Sequence, residues 1–513
     1  MELQRDIATT TLIGWIALAN CLVWAQGSTG ALSGVVRDAT GALLPGVSIT
    51  AIHIESGLTR TVETNDSGDF QIPALPVGLY EVTIDKLDFK QQVRRGINLS
   101  VGQEAVLNLT MEVGNVEQRV TVTADTPIVN TTLNSTSGLI TAAQIKDMPL
   151  NGRSFEQLLT LNAGTVNNTV HSGFSSFSVA GKRTETNRFM INGMDYIGDN
   201  PTGQYIAPQG SSGYLLGVDA VREYNVLGYT YGAEYGKRAG AQVTAVSISG
   251  TNQLHGAAFE YLRNNRLDAR NFFSPTQGAP PFKRNQFGGS LGGPLIRNKM
   301  FVFGNYEGFR ERLAVDTVAI VPSLQARQGR LPNASGVYVT VPNLVLGMLP
   351  FFRYWPEPNG EEALVNGLPT GTAYYRGNLS QKHDENFGLA RYDYHISGVD
   401  FVSSHFTTSK GTATLPLLVF SGNGPQDLYT LGVQETHTFS PNVLNAAMFG
   451  YSHARAEGEV RPVEPFPDNL LFMKLATETI PAQSTSEPWR CRLAAAIVFS
   501  IRDRTSPRPM TYA

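Results

Sequence analysis

Few residues of this chain are spaced for chemistry. Asp66 and Asp69, in the turn Asn65-Asp66-Ser67-Gly68-Asp69, could offer carboxylate oxygens to Ca²⁺. Short acidic side chains in such a turn more often hydrogen-bond their own backbone, so an Asx turn is the plainer use. Gly232-Ala-Glu-Tyr-Gly236-Lys237 has the outline of a phosphate cradle. It is one residue short between its glycines, and Arg238 stands where Ser or Thr would ligate Mg²⁺. The eight His residues are scattered, with no H-E-x-x-H pair and no Cys/His cluster. No G-x-S-x-G elbow presents a nucleophile. Single carboxylates are plentiful but nothing in the text pairs them. The chain therefore reads as no enzyme, with no catalytic residue, metal or cofactor assigned. The residues with a definable task are Val120, Thr121, Val122, Thr123 and Ala124. This extended Val/Thr run can add to an open sheet edge, where main-chain groups supply the affinity. It can equally be one more strand of its own domain.

What positions such a run follows from composition and pattern. The 513 residues suffice for several domains. Lys+Arg number 40 against 43 Asp+Glu, a balance that argues against a nucleic-acid partner. Charged residues make up 16%, below the roughly 25% of soluble domains, and Gly is high at 51. At the N-terminus, Arg5 precedes a largely apolar Ile7 to Trp24, and Val23-Trp24-Ala25 fits a cleavage site, so residues 1–25 read as a signal peptide. The stretch is short for a transmembrane anchor and is interrupted by Thr9 to Thr11 and Asn20. Cys21 as a lipidated residue is disfavoured by the bulky Asn20 before it. Cys21 and Cys491 are the only cysteines, so cleavage after Ala25 leaves a mature chain with no internal disulfide.

From about Ala31 to Met111 the text alternates with a period of two. Tyr80, Val82 and Ile84 alternate with Glu81 and Thr83; Leu107, Leu109 and Met111 alternate with Asn108 and Thr110. Turn signals such as Pro45-Gly46 and Pro76-Val77-Gly78 separate the segments, which predicts an antiparallel sandwich of about seven strands. The phrases GVVRDATGALLPGVSIT, TNDSGDF and LPVGLYEVTI resemble the carboxypeptidase regulatory-like domain, with its carbohydrate-binding-like fold. That resemblance implies a spacer or docking module, with glycan binding as a further option.

Beyond it the pattern becomes mixed. Thr141-Ala-Ala-Gln144 and Ser154-Phe-Glu-Gln157 each fit a capping box, and Phe155, Leu158 and Leu159 fall on one helical face. From Tyr231 to Arg310, alternating segments are punctuated by Gly, Asn and Pro with aromatic residues at their edges, as a β-barrel wall is written. MPLNGRSFEQLLTLNAGTV, VAGKRTETNRFMINGMDY, VDAVREYNVLGYTYGAEYGKRAGAQVTAVSISG and FKRNQFGGSLGGPLIRNKMFVFGNYEGFR resemble the plug and plug-to-barrel junction of Oar-like TonB-dependent receptors, which are outer-membrane proteins of Gram-negative bacteria. The resemblance implies that Val120 to Ala124 is the TonB box.

Candidate barrel strands are Leu254 to Leu262, Phe287 to Leu295, Met300 to Gly308, Asn386 to Ile396, Asp400 to Thr408, Tyr429 to Phe439 and Val443 to His453. In the fourth, Gly388, Ala390, Tyr392, Tyr394 and Ile396 share one face, and Leu389, Arg391, Asp393 and His395 the other, which suggests lipid on one side and lumen on the other. Val315 to Thr370 reads as a long extracellular loop whose Phe351 to Trp355 patch buries itself or meets ligand. A plugged transporter needs about 22 strands. At about 20 residues per strand and connection, residues 251 to 465 supply roughly ten. From Ser486 the text is Arg- and Pro-rich and shows no strand alternation, as in a truncated or frameshifted receptor.

The expected fold is mainly β: an N-terminal β-sandwich (26–115), an α+β plug with the TonB box (116–250), an incomplete antiparallel transmembrane β-barrel (251–470) and an aberrant tail (471–513). The resemblance implies an outer-membrane receptor for an unidentified extracellular ligand, a glycan or peptide, with the sandwich in the periplasm. Its partners would be periplasmic TonB and outer-membrane lipid, without nucleic acid. The alternatives are a secreted or surface carbohydrate-binding module with a remnant barrel, and a hydrolase with an accessory sandwich.

Overall fold

The computed structural model describes residues 29–114, 120–123, 136–168, 176–196, 210–229, 231–232, 235–274, 278–342, 346–440, 443–456, 459–464 and 492–501. The expected signal peptide, both cysteines and Ala124 lie outside these residues.

Nine strands build the N-terminal unit: β1 (Thr29–Asp38), β2 (Ser48–His53), β3 (Thr59–Glu63), β4 (Asp69–Pro76), β5 (Gly78–Asp85), β6 (Gln92–Leu99), β7 (Glu104–Val106), β8 (Leu109–Met111) and β9 (Val120–Thr123). One sheet runs β4-β1-β7, with β8 also on β1; the other runs β3-β2-β5-β6-β9. The period of two does its expected work. Tyr80, Val82 and Ile84 are buried between the sheets while Glu81 and Thr83 face outward. Every member of this apolar core lies between Leu32 and Met111. An isolated 29–114 fragment is therefore expected to show a β circular-dichroism spectrum and one cooperative melt. A gradual, featureless melt would show that the core needs the rest of the chain.

The second unit contains β10 (Thr136–Thr141), α1 (Ala142–Asp147), β11 (Thr165–Asn168), β12 (Ser176–Val179), β13 (Arg188–Ile191), β14 (Met194–Asp195), β15 (Val221–Tyr229) and β16 (Gln242–Ser247). Five of these strands form a sheet in the order β10-β15-β16-β13-β14. Thr141 and Gln144 close the expected capping box at the start of α1. Ser154 does not form one. Its hydroxyl accepts the Leu215 N–H at 3.0 Å, and the segment Phe155–Leu161 winds as a 3₁₀-helix with no side-chain cap. A long-range donor has displaced the local one, because Ser154 and Leu215 are both buried and each needs a partner.

The third unit is one large antiparallel sheet. Its strands are β17 (His255–Asn264), β18 (Phe282–Ile296), β19 (Met300–Pro322), β22 (Glu362–Val365), β23 (Leu368–His395), β24 (Asp400–Leu417), β25 (Phe420–Ser440), β26 (Val443–Ala456), β27 (Glu459–Pro462) and β28 (Arg492–Ile501); β20 (Arg330–Pro332) and β21 (Tyr338–Thr340) make a separate loop hairpin. The path β17-β18-β19-β23-β24-β25-β26-β28 is open, with β17 and β28 at its ends. Short turns at 297–299 and 396–399 lie on the sandwich side, where Asn298 meets Asn252 and Gly398 meets Arg60, and the β20–β21 loop hairpin lies at the far end. No described helix is long and apolar enough to cross a membrane.

Three further expectations need correction. The sandwich is not wholly antiparallel: β7 and β8 run parallel to β1, and β9 runs parallel to β6. The strand pairing of β19 with β23 runs on to Pro322↔Thr372, so Val315–Pro322 and Leu368–Thr370 are strand rather than loop. Each residue added to a hairpin ladder pairs its backbone whatever its side chain, so alternation alone underestimates the length. The C-terminal stretch also contains a strand: Arg492–Ile501 pairs antiparallel with β26. Leu493 to Phe499 is a continuous apolar run, which fits a strand without showing a period of two. The remainder of that stretch lies outside the described residues.

Candidate functional site

The lumen face of the sheet is set by alternation along β19 and β23. His383, Glu385, Phe387, Leu389, Asp393 and His395 are buried, while Asp384, Asn386, Gly388, Tyr392 and Tyr394 are partly exposed on the other face. The two faces foreseen for this strand are the two faces observed, and the inner one is covered by the second unit, which plugs it.

Carboxylates hold the plug there. Glu385, 1% exposed, accepts the Ser212 N–H at 2.8 Å and the Ser409 hydroxyl at 2.6 Å. Glu307, 0% exposed, accepts the Gly217 N–H at 2.9 Å and the Gln286 amide at 2.5 Å. Both thus grip the backbone of one plug loop, 210–217. The close approach requires glycine at Gly217: its φ is +97°, and a Cβ would stand 2.5 Å from the Phe387 ring. Beside it, Arg284 donates to Glu311 at 2.7 Å and to the Tyr214 hydroxyl at 2.8 Å. Arg391 reaches the Ser247 carbonyl at 2.7 Å and Asp393 at 2.8 Å, and Asp393 also accepts the Ser249 hydroxyl. Arg153 of the plug bonds Asp219 at 2.8 Å and lies 4.0 Å over the Phe259 ring of β17. Met194 of the plug packs against Gly432 and Gly450, which face each other across β25 and β26, where a Cβ on either would collide with it.

The sandwich meets both other units. Arg222 of β15 makes two bonds to Glu55, at 2.6 and 2.9 Å. Burial pushes Glu55 up, but the Arg222 hydrogen bonds and charge outweigh it and hold the carboxyl below its ordinary value. Glu223 accepts the Val101 N–H at 2.6 Å; burial pushes its carboxyl above the usual range despite that bond.

Val120–Thr123 form β9, parallel to β6 in the register Gln92↔Val120 to Arg95↔Thr123. β9 ends its sheet, so one of its edges carries no described strand. Asp66 and Asp69 gather no third ligand among the described residues. Their turn is organised by Asn65, whose side chain accepts the N–H groups of Ser67 and Asp69, each at 2.9 Å. A different trio, Asp400, Glu435 and His437, brings ligand atoms within 4.8 Å of one another. There Asp400 is already engaged by His437 and by the Ser397 hydroxyl at 2.7 Å. Phe351 and Phe352 are partly buried, and Arg327 ties their segment down through the Phe352 carbonyl at 2.7 Å. The sandwich turns its aromatic side chains inward: Phe70 and Tyr80 are buried and Phe89 packs on the core. Sequence reading missed Glu55, Arg222, Glu307 and Glu385. For Arg222, Glu307 and Glu385 the local signal is a charge on the inward face of a strand, visible only once strand ends and facing are known; Glu55 sits in the turn after β2 and carries no such signal.

The described residues form an open antiparallel wall of long strands with an α+β unit seated on its inner face and a β-sandwich before it, the layout of a plugged barrel that is not closed. Residues 246–490 match the family described as Outer membrane beta barrel domain, and residues 31–112 the carboxypeptidase regulatory-like domain. The chain is a homologue of the TonB-dependent transporter Oar of Myxococcus xanthus, 26% identical over 322 residues, and lies in the outer membrane with its N-terminal domain in the periplasm. That match takes in 60% of this chain and 29% of the relative, so the chain spans under a third of the transporter it matches. Among solved structures, the outer membrane transporter YddB from Escherichia coli aligns with a TM-score of 0.42 and 12% identity, over 62% of this chain and 39% of that one. The siderophore receptor PiuA from Acinetobacter baumannii aligns at 0.34 and 11%, over 64% and 48%.

Proposed function

We propose that this chain is the sandwich, plug and barrel part of a receptor that admits an unidentified ligand through the outer membrane when TonB draws on the plug. In this reading the chain divides into sandwich (26–115), plug (116–250) and partial barrel (251–470), a division supported by the separate strand pairing of each, with Val120 to Ala124 as the coupling segment between sandwich and plug. The observation that carries this reading is the seating of the plug. Among the described residues it rests on the wall through discrete side-chain contacts at Glu307, Glu385 and Arg391 rather than through a continuous strand ladder, an arrangement that lets it be displaced as a body. The position of β9 at a sheet end, one edge without a described neighbour, supports its use as a strand for TonB to pair. The ligand itself would be set by the far-end loops and the plug apex.

The test is capture of the full chain, in detergent, by the periplasmic domain of TonB. Strand addition uses backbone N–H groups, so Val122→Pro is expected to lose capture at least tenfold while Val122→Ala retains it. Equal capture by both variants would move the coupling site elsewhere. If Val122→Pro instead lowers the melting point of the sandwich and leaves TonB capture intact, β9 is only a sandwich strand.

A further inference from the structure

Three units meet at one junction on the sandwich side of the wall. From the sandwich come Glu55 and Arg60, from the plug Arg222 and Glu223, and from the wall the 396–399 turn. The Arg222–Glu55 fork joins plug to sandwich with both nitrogens engaged, and both side chains are part-buried. On the same plug strand, Glu223 holds the Val101 N–H, and the Asn225 amide donates to the Val101 carbonyl at 3.2 Å. Val77, Val101 and Val246 form a small apolar cluster between the two units. Toward the wall, Arg60 donates to the Gly398 carbonyl at 2.6 Å. Asn252, in the link from plug to wall, donates its N–H to the Glu55 carbonyl at 2.9 Å and its amide to Asn298 at 2.7 Å. Glu55 thus touches plug with its side chain and the plug-to-wall link with its backbone.

We infer that the sandwich is a latch across the seam between plug and wall, so that β15 and β16 cannot leave the lumen until the Glu55–Arg222 junction opens. Only the consequence for transport rests on the plug-displacement reading above; the latch is a property of the resting molecule. Two adjacent residues of β15 face the sandwich with opposite charge, and each meets a complement: Arg222 a carboxylate, Glu223 a backbone donor. A spacer hung loosely on a linker would have no use for that match. The seam is also bridged from both sides, through Arg222 to the plug and through Arg60 to the wall.

The experiment is amide exchange on the full chain in lipid nanodiscs, without TonB or ligand, so that its outcome is independent of TonB capture. The Val101 and Asn252 amides report the junction, β15 and β16 report the plug, and β18 and β19 report the wall. Glu55→Arg and Arg222→Glu are each expected to speed exchange at the junction and in β15 and β16 by tenfold or more, with the wall unchanged. The double swap should restore protection. Glu55→Gln, which keeps shape and removes charge, should give the same pattern in smaller degree and serves if a reversal variant does not assemble. The inference is overturned if the junction opens while β15 and β16 stay protected, because the sandwich is then seated but restrains nothing. It is overturned equally if Glu55→Gln leaves the Val101 and Asn252 amides at their original rates.

Discussion

Glu385→Ala is expected to loosen the plug by about 3–5 kcal/mol, because it strips the carboxylate from two donors in a site that water does not reach. The Ser212 N–H and the Ser409 hydroxyl both point at this carboxylate, and its residue is 1% exposed. A buried donor left without its acceptor carries its full desolvation cost, about 1–3 kcal/mol for each of the two. Glu385→Gln should cost less, since one oxygen still accepts, though its amide then faces a donor. The measurement is release of the plug by urea from the full chain in detergent, followed by protease cleavage within 210–229 while the wall stays folded. Adding Glu307→Ala should bring release at still lower urea, because that side chain holds the other end of the same loop through Gly217. A plug released at the wild-type urea concentration in Glu385→Ala would show that these bonds do not seat it.

The second large effect is a pH dependence at the junction. His53 is 5% exposed, and its Nδ1 accepts the Ser56 N–H at 3.2 Å, so the proton sits on Nε2, which donates to the Val77 carbonyl at 3.3 Å. Its ring lies edge-on to Tyr80, centroids 5.0 Å apart. Burial pushes the imidazole down to about 4; Arg222 and His395 act in the same direction and Glu55 against it. Above pH 6.5 the ring is neutral folded and unfolded. Between 6.5 and about 4 the unfolded chain takes a proton that the folded chain refuses, so stability falls by about 3 kcal/mol across that window. Glu55, whose folded value is lowered, loses its contribution only below about 4.5. Glu223, raised by burial, gains protection on acidification and works the other way. The comparison with His53→Phe, which keeps a ring and cannot titrate, isolates the histidine. Urea midpoints of the sandwich transition should fall from pH 7 to pH 5 in the wild type and fall much less in His53→Phe. Parallel declines in the two would assign the pH dependence to other groups.

What the sequence determined by itself was whatever a period or a turn residue encodes locally. Tyr80, Val82 and Ile84 face inward because a pleated strand turns every second side chain the same way. The capping box at Thr141 forms because both partners lie within one turn. The inward row Leu389, Arg391, Asp393 and His395 follows from the same alternation. Where a long-range partner competed, the local rule lost. Ser154 abandoned its own helix for Leu215, and β23 outran its alternating core because pairing with β19 continued. The junction was not legible at all. Glu55 and Arg222 stand 167 residues apart, and neither has a neighbour in sequence that marks it for the other. Their meeting depends on where three separate sheets are brought together, and a charge pair gains its strength only once folding has removed the water around it, which no one-dimensional pattern records.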